Sequence, residues 1–467
     1  MSFQNNLCDL RGLCGEYVTA IQARSTSRGL KPLDAAREGC DDWMGLGILK
    51  VVIKQNRYPT KEELMDLRPT KIAGACLALT MLTGIPVATA AQVPERRLTK
   101  PDATFPEAFG MVGGLRELRD GRVLIADPLG QALMVVDLVA GTADTIGRVG
   151  AGPGEYRQPD GVFPLPGDST LLVDLGNGRL TVLGPDLSFG ETTPIAQGGQ
   201  GRGAGQGGPM GGMNAVLPRG TDSKGRVYFQ ALGMGRRPGG PLPDSAAIMR
   251  WDRATGAFDE VGRVKLQERR TETSGGRGER NIRLIPTPLS PQDAWAVGWN
   301  GRLAMARTDG YYLEWIEADG GRVRGDDVSY RPVRIRRAEK EEWVNQSSSS
   351  GLRVMVEINN GVRSMSFRRG GGGGGLPDID DYEWPDAKPP FVASGVRVTP
   401  EGDAWVRRSV AAGDAPVFDV FGADGQLKER VTLPVGREVV GFGRAHVYVV
   451  LRDEFDLQWL ERYERKT

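Results

Sequence analysis

Histidine is almost missing from this chain. Among 467 residues there is one, His446, and the four cysteines, Cys8, Cys14, Cys40 and Cys76, all precede residue 77. Everything beyond is therefore free of thiol chemistry and disulfides, and zinc sites of the ordinary Cys/His kind are excluded there. A Ser-His-Asp triad would have to use His446, and no G-x-S-x-G turn accompanies it. His446 sits in an alternating stretch (GRAHVYVV) with no ligand-spaced partner, so it is expected to be a packed strand residue. No excess of either charge exists: 60 basic residues face 59 acidic ones. No global electrostatic case for nucleic acid or an anionic membrane follows, and nucleic acid is not an expected partner. Long apolar runs are also scarce. The uncharged stretch at 72–91 stands out, preceded by Arg68 and Lys71 and ending in Ala88-Thr89-Ala90, the small-x-small pattern of a signal peptidase site.

That stretch implies export, with cleavage near Ala90 or Ala91 and a secreted or periplasmic product. A start at Met65 would give the signal an ordinary short basic leader, which makes 1–64 a non-native upstream extension and 65–91 the signal peptide. An uncleaved anchor is the alternative, since the length just suffices to span a bilayer. Membrane contact is expected only through this segment. The leader also contains helical patterning, around 7–23 and 61–67.

After residue 108 one pattern recurs six times: an apolar run, a Gly-containing turn, a second apolar run, a third run ending near an acidic residue, and usually a fourth. The first hairpins fall at 115–127, 162–174, 216–230, 294–307, 396–408 and 439–450, with Gly121, Gly167, Gly225, Gly301, Gly402 and Gly443 at the turns. Fourth strands are read near 144–150, 190–195, 258–266, 328–337 and 427–435; the sixth unit has none. The period predicts an all-β, six-bladed β-propeller over 92–467, preceded by a leader with some helix. An open sixth blade needs a partner, and residues near Arg96 to Ala103 are expected to supply it, closing the ring with the N-terminal strand. A monomer is expected.

The units average about 60 residues against about 40–45 in a compact blade, so the surplus lies in loops. It falls at 196–213, 231–245, 267–292 and 338–391, connections that in a propeller emerge on one face. Loops on a rigid scaffold are where binding concentrates, so that face is the candidate surface. Two loops carry Gly-rich tracts, and 338–346 (AEKEEWVNQ) reads as an inserted helix, with Trp343 tucked onto the ring. The Gly-rich tracts lack the flanking strand, helix and Lys-Ser/Thr of a phosphate loop.

The candidate binding residues are Asp127, Asp174 and Asn177, which end second strands on that face, with Tyr156 and Arg157 beside them. Asp and Asn at such positions also serve local turns. No metal ligand is assigned. Oxygen-ligated calcium stays open, although the acidic run Asp378, Asp380, Asp381 and Glu383 lacks the glycine and distal glutamate of a calcium loop.

Residues 147–186 carry a more specific signal: a glycine-spaced run GAGPGEY at 150–156, Pro159, an apolar strand, then Val173-Asp174-Leu175-Gly176-Asn177-Gly178-Arg179. This resembles the NHL-repeat class of propellers, and in particular secreted bacterial six-bladed rings with a G-x-G-P-G-E-[FY] segment. The resemblance implies a ring used mostly for binding and carries over no catalytic residue. On these grounds the chain is expected to be a non-enzymatic binding or scaffold module for a protein, peptide or glycan. The alternative is a metal-dependent (Ca/Mg) lactonase-type hydrolase using carboxylates at the channel mouth.

Overall fold

The computed structural model describes residues 93–198, 213–232, 242–274, 281–350, 352–359, 362–369 and 378–465. The expected extension at 1–64, the signal at 65–91 and both Gly-rich tracts lie outside them.

The chain forms a six-bladed β-propeller. Blade I is Gly114–Glu117, Val123–Asp127, Ala132–Asp137 and Thr142–Thr145; blade II is Pro159–Pro164, Thr170–Asp174, Arg179–Leu183 and Phe189–Pro194. Blade III runs through Pro218–Thr221, Val227–Gln230, Ser245–Trp251 and Phe258–Lys265, and blade IV through Ala294–Val297, Leu303–Arg307, Tyr312–Ile316 and Arg322–Arg324. Blade V comprises Phe391–Val398, Ala404–Arg408, Val417–Phe421 and Leu427–Thr432; blade VI holds Arg437–Phe442, His446–Arg452 and Gln458–Glu464. Every second strand is covered on both faces by neighbouring blades, which is why Val123–Asp127 and Thr170–Asp174 are buried at every residue and show no polar alternation. The outermost Thr142–Thr145 is exposed throughout. The core is six apolar clusters, one at each blade junction. Between blades I and II, for example, Leu124, Ala126 and Leu133 meet Val162, Leu172 and Leu183.

Ring closure follows the expected principle at shifted positions. Ala103–Phe109 is the missing outer strand of blade VI, antiparallel to Gln458–Glu464 with Ala103 opposite Arg462. Asp102 pairs with Arg462 at 2.6 Å, and Phe105 and Phe109, both buried, stack at 5.5 Å in the junction between blades VI and I. Arg96 does not belong to this strand. Glu95–Arg97 instead adds a fifth, parallel strand to blade V, with Arg96 bonded to Glu429. The division follows side-chain chemistry: the apolar stretch enters the junction, and the charged stretch takes a solvent-facing edge with a carboxylate opposite.

A second correction concerns blade IV. Its fourth strand is Arg322–Arg324; of the stretch 328–337, residues 328–336 are irregular apart from a bridge between Arg334 and Ala387, and Arg337 begins the helix that follows. At five of the six turn glycines φ is positive, between 71° and 96°. Gly443 has another reason: a Cβ there would collide with the Glu117 carboxylate.

The insertions between blades form hairpins: Ala196–Gly198 with Met213–Ala215, Arg269–Ser274 with Asn281–Pro286, and Leu352–Asn359 with Val362–Arg369. Ahead of the last lies one helix, α1, Arg337–Ser350, longer at both ends than expected. Its Glu339 carboxylate accepts from the N–H groups of Arg336 and Ala412, fixing the helix start to the ring. Trp343 packs edge-on against Tyr382 and Trp384, whose segment leads into blade V.

Candidate active site

The innermost strands of all six blades surround one cavity of about 940 Å³ on the ring axis. Four guanidinium groups line it, Arg219, Arg269, Arg369 and Arg397, against a single carboxylate, Asp160. Arg219 comes from the inner strand of blade III and Arg397 from that of blade V; Asp160 opens the inner strand of blade II. Arg269 and Arg369 belong to inserted hairpins, so the loop-rich face contributes directly to the cavity wall.

Arg369 shows how. Its guanidinium pairs with both oxygens of Asp160, and its backbone N–H and C=O exchange hydrogen bonds with the side-chain amide of Gln158 at 3.0 and 2.8 Å. A hairpin inserted between blades IV and V is thereby clasped to blade II.

Deeper in the cavity, Arg219 donates to the Gln230 side-chain oxygen at 3.2 Å and lies over the Trp295 ring at 5.3 Å. The Trp295 indole donates to the same oxygen, fixing which way that amide points. Arg397 donates to the Val439 carbonyl at 3.0 Å. Desolvation inside the ring, and then the like charge of Arg397, push the Arg219 pKa below its ordinary value. Arg397 is lowered too, first by desolvation; nearby Glu438 opposes this and Arg407 adds to it. Arg219 keeps an exposed surface toward the cavity, while protein surrounds it on the ring's inner wall.

The residues expected from sequence stand elsewhere. Buried Asp127 accepts from the backbone N–H groups of Gly110, Met111, Leu129 and Gly130. Asp174, fully buried, accepts from the N–H groups of Arg157, Gln158 and Asn177 and from the Asn177 amide, with Arg179 3.5 Å away. Asn177 donates to the Gly150 carbonyl, and Arg179 to those of Ala151, Gly152 and Glu155. Asp174, Asn177 and Arg179 thus hold the glycine-rich 150–156 turn in place. Tyr156 is buried and its hydroxyl accepts from Leu133 N–H; desolvation raises its pKa. The Arg157 side chain is exposed. Of the five, Asp174 meets Asn177 and the Arg157 N–H, Asp127 and Tyr156 bond to other residues, and none lines the cavity. His446 lies in a strand of blade VI, Nδ1 3.9 Å from Glu117. The residues that do converge were missed because they belong to five different segments, three inner strands and two inserted hairpins. For the three on inner strands the one local signal is a charge flanked by apolar or turn residues, as in LPRG, GVRV and QPDG.

Calcium would need six to eight oxygen ligands. The cavity offers one carboxylate, already paired with Arg369, amid cationic neighbours. Asp378 and Asp381 cap a short 3-10 turn and Glu383 pairs with Arg270. Among the described residues no three metal-ligating side chains gather, so the donor set does not fit that ion. Among the described residues no helix is long and apolar enough to cross a membrane.

No family model and no curated protein matches the chain. Solved structures do. A gluconolactonase from Xanthomonas campestris aligns at 12% identity over 77% of this chain and 91% of its own, with a TM-score of 0.35. Regucalcin from Agrobacterium tumefaciens, a calcium-binding protein, gives 11%, 80%, 97% and 0.35. A Bacteroides fragilis protein assigned as exported gives 12%, 80%, 100% and 0.38. What is shared is the propeller fold.

The expectation of a non-enzymatic scaffold is corrected at this point, and with it the expectation that the chain is not an enzyme. The similar solved structures include a gluconolactonase, and a propeller fold by itself gives no preference for a binding module.

Proposed function

We propose that the channel is the active site of an exported lactonase-type hydrolase that works without a bound metal. The observation that carries this reading is the convergence of Asp160 with four arginines in one cavity of small-molecule size. Attack of water on an ester carbonyl builds negative charge on the carbonyl oxygen, and preformed cationic donors in a partly dehydrated site stabilise it. Arg369 and Arg269, at the loop-rich mouth, have the charge for that role. Asp160 is the one group in the lining able to accept a proton from the attacking water, and Arg369 holds its carboxylate in a fixed direction. Export rests on the signal read at 65–91.

Hydrolysis of a panel of lactones and aryl esters tests the reading. Turnover is expected, to persist in EDTA, and to fall about a hundredfold or more in kcat for Asp160→Asn. Absence of turnover across the panel, or abolition by EDTA with recovery on adding calcium, contradicts it.

A further inference from the structure

The cavity's positive charge is unbalanced at two particular residues. The ring habitually pairs its enclosed arginines with carboxylates: Arg226 with Asp222, Arg307 with Asp293 and Glu314, Arg408 and Arg430 with Asp419, Arg437 with Glu461. Within the cavity Asp160 is taken by Arg369. Arg219 and Arg397 form no ion pair with any carboxylate among the described residues; each gives one N–H to a neutral oxygen, on Gln230 and Val439.

Their levels in the ring agree. Arg219 lies two residues before the end of its strand at Thr221, and Arg397 one residue before the end of its strand at Val398, whereas Asp160 lies four before Pro164. At about 3.3 Å per residue, the two arginines share a level about 7–10 Å beyond Asp160. Two like charges facing one cavity repel, and an anion between them removes the repulsion while satisfying the remaining N–H groups. Apolar walls adjoin them, Leu217, Phe163 and Phe442, with Trp295 beneath Arg219.

Building on the reading of the channel as an active site, we infer that Arg219 and Arg397 recognise an anionic group, carboxylate or phosphate, on a substrate whose apolar body fills the cavity. The anion anchors the substrate's inner end and leaves its outer end at Asp160.

Calorimetric titration with benzoate and with inorganic phosphate tests this on the full chain. One-to-one binding of at least one probe is expected, weakened about tenfold by Arg219→Gln and by Arg397→Gln. Arg331→Gln, at an exposed site outside the cavity, leaves it unchanged. Benzoate binding alone assigns a carboxylate, phosphate binding alone a phosphate. Without either probe, Arg219→Gln should raise the melting temperature by removing repulsion; a structural arginine would lower it. Should a Gln variant fail to fold, Arg219→Lys, which keeps the charge and loses the planar fork, is expected to bind more weakly than wild type. Failure of both probes to bind, or binding unaffected in both arginine variants, overturns the inference. Anion binding without lactone turnover keeps the inference and removes the hydrolase; turnover of neutral lactones indifferent to both arginines does the reverse.

Discussion

Asp127 and Asp174 each saturate a carboxylate with four N–H donors, and this decides what they do. Replacing Asp174 by alanine strands several buried donors at once, and stability should fall by about 3 kcal/mol or more in denaturant unfolding. Four tyrosines donate to carboxylates inside the ring: Tyr228 to Asp222, Tyr311 to Asp419, Tyr448 to Glu117 and Tyr463 to Glu461. Desolvation, then Asp222, pushes Tyr228 up to about 12, and desolvation with Asp419 holds Tyr311 well above its ordinary value. A tyrosine whose folded pKa is raised keeps its full stabilising effect below the unfolded pKa of about 10 and loses it as pH rises from there toward the folded value. The melting temperature should therefore drop above about pH 10, with tyrosinate absorbance rising together with unfolding. Ionisation of these tyrosines in a still-folded ring would contradict the assignment. At this scale the sequence was a poor guide. Asp174 and Asn177 were legible as special, but an aspartate that points to a ligand and one that braces a turn carry the same letter.

Elements were far more legible. Apolar runs separated by Gly turns located all six first hairpins and third strands, because each blade repeats the same burial gradient from axis to rim. Misplaced elements were those at the rim: the outer strand of blade IV, Arg322–Arg324, is short and charged, and 328–337 looked more strand-like than it is. The closing strand was legible as a need before it was legible as a sequence. Its anchors are Phe105 and Phe109, buried beside Tyr448 and Leu460. Phe105→Ala is expected to cost about 3–5 kcal/mol in chemical denaturation, whereas Arg96→Ala, which removes a half-exposed pair with Glu429, should cost about 1 kcal/mol or less. Equal losses would mean that the parallel edge strand on blade V, and not the outer strand of blade VI, closes the ring.

At the level of the whole molecule, the repeat made the propeller and its loop-rich face readable, while the site stayed hidden because its five charged groups come from separate inner strands and inserted hairpins. Only closure of the ring brings Asp160, Arg219 and Arg397 to one axis, and only the 352–369 hairpin carries Arg369 to Asp160. The ring's lack of cysteine supplies a direct test that this axis is where turnover happens. With Cys8, Cys14, Cys40 and Cys76 changed to serine, a single thiol is introduced either in the channel wall, by Ser394→Cys, or on the outer surface, by Val139→Cys at a position 78% exposed. The decisive measurement is lactone hydrolysis before and after attaching a bulky thiol reagent to each. The account predicts that labelling abolishes turnover through the Ser394→Cys thiol and spares it through the Val139→Cys thiol; full turnover with the channel thiol labelled would contradict it.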